Sequence, residues 1–160
     1  VTPPDLWPRH HGHEMHGARL VESVAKRLRL PNDCRDLALM TAREHGNVGR
    51  ALALRASTIV TLLERCDAFR KPQRFSDMLM ASECDHRGRT GFEQRPFPQR
   101  VYLQGAMEAA CAVNGGEVAA MTRQRYPERP EKIPEAIREA RITAVKTYIA
   151  GQAGPPAEEE

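Results

Sequence analysis

The sequence predicts an all-α, multi-helix bundle. Three observations carry that expectation. Apolar residues recur at three- and four-residue spacing along most of the chain. No segment alternates apolar and polar residues with the period of a strand, and β-branched residues are sparse. At 160 residues the chain suits one domain, and a chain of this size buries roughly 70% of its unfolded surface without staples.

The elements follow in order. Residues 1–9 (VTPPDLWPR) hold too much proline for regular structure and read as a loop. From Glu14 onward, Ala18, Val21, Ala25 and Leu28 form one face of a first helix, which Pro31 ends. Asn32 or Asp33 can cap a second helix with Cys34, Leu37, Ala38 and Thr41 on its apolar side, running to about His45. Gly46 and Gly49 then open a loop. Ser57 or Thr58 starts a third helix through Ile59, Leu62, Leu63 and Cys66. A fourth follows Pro72 with Phe75, Met78, Leu79 and Ser82 on one side. The stretch Asp85 to Pro98 (DHRGRTGFEQRPFP) is the longest internal loop. Helical spacing resumes over Val101 to Val113, breaks at Asn114-Gly115-Gly116, and returns briefly from Glu117 to Tyr126. Pro130 and Pro134 lead into a last helix with Ile137, Arg141, Ala144, Val145 and Tyr148, capped by Gly151. Residues 151–160 (GQAGPPAEEE) read as a frayed tail.

Composition narrows the function classes. No apolar run approaches the ~20 residues of a membrane helix, and Val1 to Pro8 lack the basic start and apolar stretch of a secretory signal. Of 24 cationic residues, 20 are Arg, against 21 acids. Arg forks onto phosphates as Lys does not, so polyanion binding joins a GC-rich coding bias as a reading of that split. Cys34, Cys66, Cys84 and Cys111 form no C-x-x-C pair, which argues against a zinc ribbon or disulfide framework and for reduced, mostly buried thiols in a cytoplasmic protein. Four of the six histidines (His10, His11, His13 and His16) crowd into seven residues. His45 and Asp67 lie near the ends of the second and third helices and could join them at one edge of the bundle. Mixed imidazole and carboxylate donors suit Mn, Ni, Zn, Fe or Mg and activate water for phosphate-ester hydrolysis.

The run TPPDLWPRHHGHEMHGARLVESVAKRLRLPND, then REHG, then ERCDAFRKPQR resembles the HD-type metal-dependent phosphohydrolase region of bacterial CCA-adding tRNA nucleotidyltransferases. ASECDHRGRTGFE and IPEAIREARITAVKTY resemble later signatures of the same family, so the likeness spans residues 1 to about 150. It implies an HD-type region over 1–80, a tRNA-binding helical tail over 81–150 and a disordered end over 151–160. It also implies His13, His45 and Asp67 as metal-site residues and a divalent cation (Mg, Ni or Mn) in the parent enzyme. The His-Asp doublet that names the HD superfamily, usually within HD-x-G-K, is absent here, and Gly46 follows His45 where related proteins often carry Asp. Also absent are the Gly-Ser and paired Asp residues that hold Mg²⁺ and the incoming CTP or ATP in the nucleotidyltransferase head.

The resemblance therefore implies a fragment that binds tRNA, adds no nucleotide by itself, and has the head as its natural neighbour. A second copy of the chain is admitted as a partner. Arg70, Lys71, Arg74, Arg87 and Arg89, continued by Arg95 and Arg100, would contact tRNA phosphates by shape rather than base identity. In the competing view these cations pair internally with Glu83, Asp85 or Glu93. Two rivals remain: a stand-alone HD phosphohydrolase with His10 or His11 replacing the doublet, and an RNA-binding module without metal.

Overall fold

In a computed structural model, residues 12–152 are described, and all their regular structure is helical. The helices are α1 (His13–Leu28), α2 (Asn32–Gly49), α3 (Ala56–Arg65), α4 (Pro72–Arg87), α5 (Gln99–Cys111), α6 (Gly115–Arg125) and α7 (Lys132–Gln152), with a 3-10 turn at Ala51–Ala53. The all-α bundle expected from periodicity is what the chain forms.

Local chemistry explains most of the ends. Arg29 turns left-handed (φ 51°) after α1, and the Leu30 N–H reaches back to the Ala25 carbonyl at 3.0 Å. That six-residue closure uses a carbonyl the helix would leave open. Pro72 occupies the first turn of α4, where its missing N–H costs nothing. The Asn114 carboxamide accepts from the N–H groups of Gly116 and Glu117 at 3.1 and 3.2 Å, capping α6.

Several boundaries differ from expectation; α3 begins at Ala56, α5 spans Gln99–Cys111 and α6 spans Gly115–Arg125, each a residue or two from the expected ends. α2 does not stop at His45 but continues through Gly46 to Gly49. Each glycine costs a helix about 1 kcal/mol, whereas Val48 on that last turn is fully buried, worth about 1.5–3 kcal/mol. Neither Asn32 nor Asp33 caps α2, whose N-cap is Pro31. α4 extends to Arg87, so the loop spans residues 88–98 rather than starting at Asp85. Gly151 lies inside α7 instead of capping it.

The core is one cluster centred on α3, whose Ile59, Val60, Leu62 and Leu63 are all buried. Phe75, Met78 and Leu79 from α4, Leu103 and Ala106 from α5, and Val145 from α7 close over them. α4 runs across residue 80, and the same cluster reaches from Met40 to Val145. α1 packs on α2, and α6 on α7, as outer layers. The thiols depart from the sequence reading: Cys66 is buried, but Cys34, Cys84 and Cys111 are exposed. No helix among the described residues is long and apolar enough to cross a membrane.

Candidate functional site

The crossing of α1 and α2 organises the histidine region. A Cβ at Gly17 would sit 3.7 Å from the Ala42 methyl, so the two helices meet closely there. Position 13 lies one turn before Gly17, and His45 one turn after Ala42, which places both at this crossing. The His45 ring is half-buried, with Nδ1 3.1 Å from the carbonyl oxygens of Thr41 and Ala42. Both carbonyls can only accept, so Nδ1 is the donor in these contacts. Beside the ring runs a mostly apolar cleft of about 530 Å³, walled by Leu37, Ala38 and Thr41 of α2 and by Ala81 and Asp85 of α4. The side chain of His13 lies outside the described residues, as do His10 and His11.

Asp67 sits in the turn between α3 and α4 with φ 52°, a left-handed conformation that Asp adopts more readily than most residues. Its carbonyl accepts the N–H groups of Arg70 and Lys71 at 3.2 and 2.9 Å, which sets up α4. Its carboxylate meets Arg70 Nε at 3.0 Å and Arg74 Nη2 at 3.7 Å. Two guanidiniums thus hold the carboxylate expected to face a metal. No group of three His, Cys, Asp or Glu side chains suited to a metal comes together among the described residues. Arg70 and Arg74 would compete with any cation for the Asp67 carboxylate.

The arginine stretch is laid out by α4 and the loop after it. Glu83 and Arg87 pair one turn apart at 2.8 Å, and Asp85 and Arg89 do the same at 3.3 Å. Glu83 also accepts from Arg100 at 3.1 Å, tying the start of α5 to α4. Arg70, Lys71, Arg87 and Arg89 are exposed, whereas Arg74 is half-buried. The loop is pinned from inside: Phe97 is buried, the His86 ring packs 5.0 Å from it and 5.2 Å from Phe92, and Arg95 lies 3.9 Å over the Phe92 ring. A feature the sequence hid is a polar groove between α3 and α7, lined by Arg65 and Arg138. Seventy-three positions separate those residues, so no local pattern reveals it.

Comparison with known proteins follows the same line. The chain is 71% identical over 158 residues to the multifunctional CCA protein of Janthinobacterium sp. (strain Marseille), covering 99% of this chain and 38% of that protein. It is 72% identical over 149 residues to the multifunctional CCA protein of Herminiimonas arsenicoxydans, covering 93% and 36%. Against that of Ralstonia nicotianae the identity is 52% over 145 residues, covering 91% and 33%. The chain thus spans a little over a third of the length of the curated relatives it matches most fully. No family model and no solved structure matches it. Identity this high along nearly the whole chain is far beyond chance likeness of helical proteins, and the chain belongs to the multifunctional CCA proteins, corresponding to their C-terminal part.

Proposed function

We propose that this chain is the tRNA-holding, helical part of a CCA-adding tRNA nucleotidyltransferase of the cytoplasm, acting beside a catalytic head that carries the nucleotide chemistry. The observation that carries this reading is the identity of 71–72% to multifunctional CCA proteins. The exposed cations of α4 and its flanking turns supply the physical means. Arg70, Lys71, Arg87 and Arg89 present guanidinium and ammonium groups to solvent, and Arg74 supports them from the Asp67 turn. A pair whose guanidinium is exposed is weakly held, so a phosphate can replace the carboxylate while counterions leave the RNA. Arg then grips two phosphate oxygens at once. Such contacts fix the position of a duplex without reading its bases.

The test uses a tRNA transcript lacking its CCA end, labelled CTP and the chain alone. The expected result is a salt-sensitive electrophoretic shift of the tRNA with no extended product. Failure to shift tRNA at low salt overturns the reading.

A second reading places an HD-type metal site at His13, His45 and Asp67. The closeness of α1 and α2 at Gly17 and Ala42 favours it, and the hold of Arg70 and Arg74 on Asp67 weighs against it. Equilibrium titration with Ni²⁺ or Mn²⁺ tests it, because tight stoichiometric binding abolished by His13→Ala requires a complete site.

A further inference from the structure

A groove of about 330 Å³ runs along α3, with Asn47 from α2 at one side and Arg138 from α7 at the other. It contains none of the histidine and carboxylate residues discussed above and none of the arginines between positions 70 and 100. Ser57, Thr61 and Arg65 follow one another at four-residue spacing, so two hydroxyls and a guanidinium form a row on a single helix face. Thr58 adds a third hydroxyl beside the first. Leu62, at 2% exposure, closes the floor.

Arg138 enters from the opposite wall and is already oriented. Its Nη2 donates to Thr61 Oγ1 at 2.9 Å, and its guanidinium meets Glu64 at 3.3 Å. Arg65 is 62% exposed, and its nearest acid, Glu44, stands 3.8 Å away, beyond hydrogen-bond length. Glu44 is engaged elsewhere, accepting from Asn47 at 2.7 Å, and Asn47 in turn accepts from Arg50 at 2.6 Å. Two guanidiniums on facing walls, with hydroxyls between them, match the needs of a tetrahedral oxyanion. Arg supplies forked donors in a fixed plane, and the hydroxyls rotate to complete the shell.

We propose that this α3–α7 groove is a phosphate-binding site, held chiefly by Arg65, Arg138 and the hydroxyls of Ser57 and Thr58. The phosphate comes either from the backbone of an RNA strand or from a free phosphate compound. The site stands independently of the arginine stretch of α4, so failure of one leaves the other untouched.

The test titrates inorganic phosphate into the full chain at constant ionic strength, following amide resonances of residues 57–65 and the Arg65 and Arg138 side-chain N–H signals. The expected result is a saturable shift confined to those groups. Thr58 is exposed, so Thr58→Glu keeps the fold while setting a carboxylate beside the anion. At about 4 Å in water that repulsion weakens binding roughly fivefold or more, and Arg65→Gln should weaken it likewise. Shifts that do not saturate, that scatter over the surface, or that are equal in Thr58→Glu and the parent chain overturn the proposal. A tRNA added to the phosphate-loaded chain then separates the sources. Displacement of phosphate from residues 57–65 assigns the groove to the RNA backbone, and persistence of the phosphate shifts assigns it to a free phosphate.

Discussion

Replacing Arg87 and Arg89 together by Ala separates RNA contact from internal bracing, because the structure sets both costs. Each arginine sits one turn after an acid, Glu83 at 2.8 Å and Asp85 at 3.3 Å, and both arginine side chains are well exposed. Exposed pairs of this kind stabilise a helix by about 0.3–0.5 kcal/mol each. Glu83 keeps Arg100 at 3.1 Å when Arg87 is gone, so no buried charge is stranded. The total loss is about 1 kcal/mol, which for a chain of this length lowers Tm by roughly 2–4 °C.

The RNA side is larger and has a distinct signature. Each phosphate contact contributes about −0.7 to −0.9 to the slope of log affinity against log salt. Two lost contacts flatten the slope by roughly 1.4–1.8, so between 50 and 200 mM salt the parent chain loses about tenfold more affinity than the variant. The loss at low salt is the same for every tRNA species, since phosphates carry no sequence. Filter binding across that salt range, with thermal unfolding on the same preparations, measures both quantities. A Tm fall beyond roughly 8 °C with an unchanged salt slope refutes the reasoning and makes these arginines braces of the 88–98 loop.

Other outcomes follow from single features. Incubated with labelled CTP and tRNA lacking its CCA end, the chain alone yields no product, since it lacks the Gly-Ser and paired Asp carboxylates that would bridge a triphosphate through Mg²⁺; gel analysis of the tRNA checks this. Ni²⁺ binds at about micromolar affinity or weaker, and more weakly as pH falls and imidazole protonates, because Arg70 and Arg74 compete for Asp67; calorimetry measures it. A thiol reagent at pH 8 titrates Cys34, Cys84 and Cys111 in the native chain and Cys66 only after denaturation, because burial, reinforced by Glu44, pushes the Cys66 thiol up from 9.0 to about 12. The folded state then holds a proton that the unfolded chain releases near pH 9, so this contribution is intact below pH 9 and lost as pH rises toward 12. Gly105→Ala lowers Tm, since its methyl would lie 2.6–2.7 Å from ring atoms of Tyr148 where α5 crosses α7, an overpacking worth about 1–3 kcal/mol.

Helix periodicity made all seven helices of the described residues legible. What failed were local rules overridden by packing. Gly46 and Gly49 are sound loop signals, yet burial of Val48 carries α2 through them. Gly151 is a sound cap signal, yet α7 continues past it to Gln152. The thiols show the same limit, since nothing in the spacing of Cys34, Cys84 and Cys111 says that their helix faces look outward. Ion pairs divide along the same line. Glu83–Arg87 follows from four-residue spacing on a helix, and Asp85–Arg89 spans the end of α4, while Glu44–Arg65 and Glu64–Arg138 need the bundle assembled first.

That division also sorts the candidate RNA contacts, which the sequence presented as equivalent. Arg70 and Arg74 both face Asp67, but the Arg70 side chain is 78% exposed and that of Arg74 only 23%. Arg74 Nε is buried without a hydrogen-bond partner among the described residues, a cost of order 1–3 kcal/mol that the structure bears to keep a cation against Asp67 and the α3–α4 turn. A residue held at such cost anchors the turn, and its removal leaves the Asp67 carboxylate to Arg70 alone. Arg70 contributes an exposed pair worth at most about 1 kcal/mol, so it can exchange Asp67 for a phosphate with little loss. Charge at positions 70 and 74 is the same; burial makes Arg74 the anchor of the turn and leaves Arg70 as the one of the two that faces solvent.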